Sequence, residues 1–463
     1  MRVSFDDPRF LDADDLVQEE DRVFSLCGDC RLCVKYCDSF PIIFDAIDRQ
    51  SSGDDEIRTG LEVLSEEERT AAVDACFGCQ LCYVQCPYTP DEGHEWDIDF
   101  PLLMLRAKAI RASQEGIPLL DQLLADPDRA GKMMGGSRAA ISNRLMRAGS
   151  WTRRVGAWVA GIHAQKLLPS FSPVPFTETP EASSSSEHHH QASTADGIAE
   201  VVLFPACTGQ WNDSSAAHAV LELFGRAHVR TKVEYPGCCG MPELDIGNLE
   251  GARQKARRVV KALAPLIRED RPLVVMNPTC RLMMRNKYPE LIPDEPGIEA
   301  FAGAVTDEGS ILFELVRSKR LDRSFGKVPE EVVYHAACHQ QRQQTGFKGR
   351  DVLKVLKAPI TTCDRCSCHD GTWSMKGENF ESSQRLGKPL FDVVREHPSA
   401  EVVTECPLAA LQIEQATGRK ARHPAVVLNT AYAHQREDAQ TKEVASNEIN
   451  APSLPEQAHQ EEQ

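Results

Sequence analysis

The sequence contains no apolar run of about 18 residues, so it predicts no helix that crosses a bilayer. Met1 to Glu20 is acidic and has no apolar core, which predicts no secretory signal and a reducing, cytoplasmic setting. No Gly-x-Gly-x-x-Gly follows a strand-like run, so the chain is expected to bind neither flavin nor nicotinamide itself. Positive charge is in deficit. Against 69 Asp and Glu stand 52 Lys and Arg, a net charge of −17 that argues against nucleic acid as the main partner. What is present is length, 463 residues, enough for three ordinary domains with full cores.

Acid itself is missing from one stretch. Residues 131–176 hold seven Lys and Arg and no Asp or Glu, whereas residues 1–70 carry 19 acids against 8 bases. The basic stretch includes Arg144, Leu145, Met146, Arg147, Trp151, Arg153, Arg154, Val155, Trp158 and Val159. Two readings stay open: an amphipathic helix lying on anionic lipid or an acidic partner, or a helix packed on the chain's own acidic N-terminal domain. Residues 170–197 are rich in Pro, Ser, Thr and His, a composition expected to form a disordered linker, with His188 to His190 a solvated triplet. The Gln- and Glu-rich residues 436–463 are expected to be a disordered tail.

Cysteine is abundant, at 17 residues, and in a large non-secreted chain it reads as metal ligand rather than disulfide. Eight fall into two copies of CxxCxxCxxxC: Cys27, Cys30, Cys33, Cys37, and Cys76, Cys79, Cys82, Cys86, the last followed by Pro87. This spacing predicts two [4Fe–4S] clusters; a zinc knuckle needs only two CxxC pairs. In two-cluster ferredoxins the fourth cysteine of each run binds the other run's iron, so Cys27, Cys30, Cys33 and Cys86 should hold the first cluster. Cys76, Cys79, Cys82 and Cys37 should hold the second. The 38 intervening residues, with a turn at Ser51-Ser52-Gly53 and a helix start at Ser65 to Glu68, predict an α-helical rather than a β-type ferredoxin over residues 1–110. Asp38 stands where a proline follows the fourth cysteine in the usual pattern. Asp21, Asp29 and Asp38 are expected to lower the first cluster's potential if they lie close to it.

After the basic helical segment 111–169, the second half repeats itself. Glu200 to Cys207 returns as Glu331 to Cys338, each a β-branched strand ending on a cysteine. A helix follows each (Ser214 to Val229; Gly349 to Leu356), then a strand that delivers Cys238-Cys239-Gly240 or Cys366-Ser367-Cys368. Long helices (Asn248 to Ile267; Glu378 to Arg395) lead to third strands, Leu273 to Met276 before Cys280 and Glu401 to Thr404 before Cys406. The alternation predicts parallel α/β sheets over 198–327 and 328–435, with cysteines gathered at strand ends, where open α/β sheets bind ligands. Cys207, Cys238, Cys239 and Cys280, then Cys338, Cys363, Cys366, Cys368 and Cys406, are candidate ligands for iron–sulfur or zinc, with His335, His339 and His369 nearby. A vicinal pair such as Cys238 and Cys239 is also fit for thiol–disulfide exchange.

The Cys-Cys-Gly within its frame of flanking cysteines resembles the cysteine-rich CCG domain. That domain occurs, usually twice, in heterodisulfide reductase subunits, glycolate oxidase iron–sulfur subunits and lactate-utilisation proteins. Joined to a twin-cluster ferredoxin, the architecture looks most like the C-subunit family of anaerobic glycerol-3-phosphate dehydrogenase. Asp99 to Lys108, Gly161-Ile-His163, His369 to Trp373, Cys406 to Ala409 and His423-Pro424 carry further likeness. The resemblance implies an α-helical two-cluster ferredoxin domain followed by two tandem CCG-type α/β domains. It also implies an electron-transfer subunit of an oxidoreductase complex, at the inner face of the membrane, between a flavin dehydrogenase partner and a quinone or another acceptor. The alternative is a heterodisulfide or thiol–disulfide reductase acting at the CCG cysteines. Asn277, Ala409 and Ser367 depart from the full pattern, which points to one iron–sulfur or zinc site shared between the copies rather than a pair of non-cubane clusters.

Overall fold

The computed structural model describes residues 3–51, 64–184 and 198–432. The Ser52-Gly53 turn, His188 to His190 and the tail from residue 436 lie outside the described residues. Among the described residues, the elements before residue 200 are all helical, as the motif spacing requires. Helix Ala13–Cys30 starts at Asp12, whose side chain accepts from the backbone of Asp14 and Asp15, and ends where Arg31 turns left-handed at φ 52°. Helix Glu66–Asp74 opens on a reciprocal capping box between Ser65 and Glu68. Helix Phe100–Glu115 starts at Asp99 and buries Arg106 against the carbonyls of Phe10, Arg9 and Asp12, which fastens the N-terminal turn.

Among the described residues, seven strands form two parallel sheets. The first contains β1 (Glu200–Phe204), β2 (Arg230–Val233), β3 (Leu273–Val275) and β4 (Val305–Thr306), in the order β2-β1-β3-β4. The second contains β5 (Val332–His335), β6 (Ile360–Cys363) and β7 (Glu401–Thr404), in the order β6-β5-β7. Near-continuous apolar runs such as Val201-Val-Leu-Phe204 are what a strand covered on both faces requires, and all four are buried. In each sheet the strand order reverses at the first strand, so a crevice opens beyond the carboxyl ends of β1 and β3, and again beyond β5 and β7. The amphipathic helix Leu249–Leu263 closes the first sheet with Val259 and Leu263 inward, each worth about 1.5–3 kcal/mol of burial. One core joins the two sheets: Val201, Leu203 and Val274 share it with Val332, Tyr334 and Val403.

Two features depart from expectation. Part of the stretch expected to be a disordered linker, residues 170–184, is ordered. Phe176 is fully buried, and Ala182 packs with it against Ala217, so one aromatic anchor outweighs the polar composition. Strand β4 was not expected; with two residues it carries too little alternation to register.

Candidate functional site: three groups of thiols

The first motif runs off the end of helix Ala13–Cys30. Cys27 and Cys30 lie in its last turn, Cys33 follows in the turn, and Cys37 precedes helix Ser39–Ser51. In the second motif, Cys76 and Cys79 flank a loop in which Gly78 adopts φ +66°, and Gln80, just after Cys79, takes φ +61°. Cys82 lies on the short helix Leu81–Gln85, and Cys86 closes it. Left-handed Gly78 explains the glycine. Lys108 donates to the Cys76 carbonyl at 2.7 Å and holds this loop down.

The motifs exchange their last members. Cys27, Cys30, Cys33 and Cys86 line one small cavity with Leu26, Leu32, Phe40, Phe44 and Ile98. Cys37 lies within electrostatic reach of Cys76 and Cys79, and Cys82 within reach of Cys79, Cys37 and Cys76. The Cys33 thiol donates to the Cys82 carbonyl across 3.8 Å, so the two groups are neighbours. Burial pushes the Cys27 and Cys33 thiols up to about 12, and those of Cys37 and Cys82 well above their ordinary value. None of these cysteines forms a disulfide. Buried thiols with raised proton affinity become thiolates only beside a strong positive centre, which iron supplies; the donor set fits a cluster. Among the described residues no three His, Cys, Asp or Glu groups converge on a single metal ion, so the fit is one of donor set and burial.

Two of the three acids beside the first motif are ion-paired. Asp21 pairs at 2.5 Å with Arg69, which Glu20 also holds at 3.0 Å, and Asp38 pairs with Arg385 at 2.6 Å. At the position of the usual proline, Asp38 ties the ferredoxin loop to helix Phe380–Glu396 of the second sheet.

The remaining thiols form two separate groups rather than one shared site, because each sheet brings its own cysteines to its own strand ends. In the first, Cys207 contacts Cys238, Cys238 contacts Cys239, and Cys239 contacts Cys280. Gly240 takes φ +92°, a backbone conformation that side chains rarely adopt, and a Cβ there would lie 3.3 Å from the Ala252 carbonyl oxygen. In the second, Cys366 contacts Cys338 and Cys368, and Cys406 sits near enough to feel the charge of Cys338. Cys363 faces a different core, with Val333 and Phe391, and does not join them. Of the departures from the family pattern, Asn277 serves as a cap, accepting from the Thr279 N–H at 2.8 Å, while the retained Cys406 caps its own helix, its Sγ accepting from the Ala409 N–H at 3.5 Å.

The histidines divide. His335 is buried with both nitrogens engaged, Nε2–H donating to the Arg365 carbonyl and Nδ1 accepting from Thr404, and burial lowers its pKa to about 4. It is a satisfied core residue, not a ligand. His339 is likewise committed at both nitrogens, to Gly78 and Thr279. His369 keeps a buried Nε2 without a partner among the described residues.

Sequence reasoning missed Asp128. This carboxylate is 7% exposed and accepts from Trp211 Nε1 (2.9 Å), Tyr235 OH (2.5 Å) and the Cys238 N–H (2.7 Å). It anchors helix Pro127–Met134 to the first thiol group. Nothing in the local sequence separates it from an ordinary surface acid. Also missed was a cavity of ≈ 720 Å³ between the two α/β halves, reached by Pro205, Thr208 and Met276 from one side and by Glu405, Leu408 and His423 from the other. Its size suits a small organic molecule. The basic segment forms several short helices, and Leu119, Met133, Ile141, Leu145, Trp151 and Val155 all lie exposed on it.

This arrangement defines an iron–sulfur protein with helices and parallel sheets. Residues 26–91 match the model of a 4Fe-4S dicluster domain, and residues 201–285 that of a cysteine-rich domain. The chain is homologous to the C-subunit of anaerobic glycerol-3-phosphate dehydrogenase and to lactate utilization protein A. The dehydrogenase protein from Escherichia coli (strain K12) is 26% identical over 246 residues, which cover 50% of this chain and 59% of that protein. The match thus spans less than two thirds of that relative. The lactate utilization protein A of Bacillus licheniformis is 25% identical over 246 residues, covering 50% of this chain and 99% of that protein. That of Geobacillus thermodenitrificans is 23% identical over 186 residues, 38% of this chain and 75% of that protein.

Proposed function

We propose that this chain is the iron–sulfur electron-transfer subunit of a dehydrogenase-type complex, relaying electrons between a flavoprotein dehydrogenase and a quinone or another acceptor. Residues 1–110 would form the twin-cluster ferredoxin domain, 111–169 the basic helical segment, and 198–327 and 328–435 a pair of CCG-type domains. The observation that carries this reading is the exchange of Cys37 and Cys86 between motifs, which yields two adjacent groups of four thiols. When bound, each cluster supplies storage for one electron. Cys27, Cys30, Cys33 and Cys86 would hold the first, and Cys76, Cys79, Cys82 and Cys37 the second. The surrounding Leu26, Phe40, Phe44 and Ile98 exclude water, and Lys108 and Gly78 fix the second loop. The relatives' names support a dehydrogenase setting, and the cleft between the α/β halves is large enough for a small acceptor.

Peripheral contact with the inner face of a membrane is supported by the exposed apolar side chains interleaved with arginines over residues 131–176. No helix among the described residues is long and apolar enough to cross a membrane. Co-sedimentation with anionic vesicles, lost in Trp151→Glu, tests that contact.

For the main reading, the experiment is anaerobic purification, iron and sulfide analysis, and EPR after dithionite. Two cubane signals are expected, and Cys86→Ser should remove the first cluster's signal while sparing the second. Two such clusters need about eight irons, so a fully reconstituted chain holding about four or fewer would refute the two-cluster reading. A second reading, thiol–disulfide reduction, is favoured by the mutual contacts of Cys207, Cys238, Cys239 and Cys280. It requires that Cys239→Ser abolish turnover with both cubane signals intact.

A further inference from the structure

Chain order places the first α/β half next to the ferredoxin domain, yet it is the second half that packs thiols into the ferredoxin core. The Cys366 thiol touches Cys79 of the second ferredoxin group as well as Cys338 and Cys368. Cys338, Cys366 and Cys368 pack in one core with Cys37, Cys76, Cys79 and Cys82. Cys238, Cys239 and Cys280 belong to another core. Around this contact the second half grips the ferredoxin at four points. Trp373 Nε1 donates to the Asp74 carbonyl at 2.7 Å, and its ring lies 4.9 Å from that of Phe77. Arg342 reaches Asp91 at 3.2 Å and lies over Tyr83. Arg385 pairs with Asp38. The fourth point is His339.

His339 follows Cys338 directly and is 9% exposed. Its Nε2 lies 2.9 Å from the carbonyl of Gly78, the residue before Cys79. A carbonyl only accepts, so Nε2 carries the proton, and Nδ1 accepts from the Thr279 hydroxyl at 2.9 Å. Thr279 precedes Cys280. One ring therefore touches the second ferredoxin loop and is one residue away from a thiol of each α/β half. Gln343 braces it, donating to the His339 carbonyl at 2.7 Å and the Pro278 carbonyl at 3.0 Å.

We infer that the Cys338–Cys366–Cys368 group, not the first-half group, is the immediate redox neighbour of the second cluster, and that His339 is the positioning residue that fixes this junction. The inference rests on the reading that Cys37, Cys76, Cys79 and Cys82 hold a cluster. Reduction potentials of such clusters respond to hydrogen bonds and contacts at their sulfurs and ligand loops, so a change at the junction is read on one cluster alone.

The test uses anaerobically purified full-length protein titrated with dithionite under EPR, as wild type, Cys366→Ala, His339→Ala and His339→Gln. In Cys366→Ala and His339→Ala the second cluster's midpoint potential and line shape shift, and the first cluster's stay put. His339→Gln restores the wild-type second signal, because its amide nitrogen can donate to Gly78 and its oxygen accept from Thr279. Rescue by glutamine separates positioning from bulk packing, which melting temperatures report in parallel. An unmoved second cluster in both alanine variants, equal movement of both clusters, or failure of glutamine to rescue overturns the inference and leaves the electron-transfer reading standing. Absence of cubane signals from the wild type itself sinks that reading and takes this inference with it.

Discussion

Asp128→Ala is the sharpest probe of how the basic segment supports the first thiol group. Its carboxylate satisfies three donors at once: the Trp211 indole, the Tyr235 hydroxyl and the Cys238 amide. Removing it strands all three in a buried place. Each unsatisfied donor costs about 1–3 kcal/mol, and water entering the space recovers part of that, so a net loss of about 3–5 kcal/mol is expected. That is a large fraction of the roughly 5–15 kcal/mol that holds a domain together. Asp128→Asn keeps one acceptor oxygen for Trp211 and Tyr235 but turns an amide N–H₂ towards the Cys238 N–H, so about half the cost is expected. Denaturant unfolding gives the free energy, and hydrogen exchange at the Tyr235–Gly240 segment locates it. The amide of Cys238 should lose its protection in both variants. A loss below about 1 kcal/mol in Asp128→Ala, with exchange at that segment unchanged, would refute the reasoning, since it would mean the three donors find other partners.

Two other consequences are open to measurement. Trp373→Ala should destabilise the ferredoxin–second-half junction by about 3–5 kcal/mol, while Trp373→Phe, which keeps the packing on Phe77 and loses one hydrogen bond, should cost about 1 kcal/mol; equal effects would contradict the packing account. His423 lies 3.1 Å from the buried Glu308. Burial works against its charge, but the carboxylate outweighs it and holds the imidazole above its ordinary value of 6.5. The folded state thus keeps that proton more tightly, and this stabilisation is complete below about pH 6.5 and lost as pH rises through the folded value. Glu308, raised by burial despite its partner, subtracts stability as pH climbs past 4.5. Stability measured against pH should therefore decline less steeply above pH 6.5 in His423→Gln, and an identical slope would rule out the pair as its source.

The cysteine motifs were legible because a cluster loop is a local object: each CxxCxxCxxxC run is compact along the chain, and Gly78 and Pro87 shape the backbone beside the second. Strand runs such as Val201-Val-Leu-Phe204 were legible for the same reason, as was the capping box at Ser65. Harder to read were roles that short sequence stretches share with ordinary ones. Asp128 looks like any helix-start acid, His335 and His339 like candidate ligands, and the segment 170–184 like a linker. Burial decided each, and burial depends on what folds against the residue from far away.

By itself, then, the sequence determined the two four-thiol motifs, the parallel α/β halves and the placement of cysteines after their strands, all set by spacing and periodicity along a single stretch of chain. Only the tertiary structure decided that the later half, not the earlier one, presses its thiols onto the ferredoxin domain, and that one histidine joins them. Chain order does not encode proximity. The crossover of helices above each sheet, and apolar surfaces such as Trp373 against Phe77 that must be covered, settle which groups finally touch.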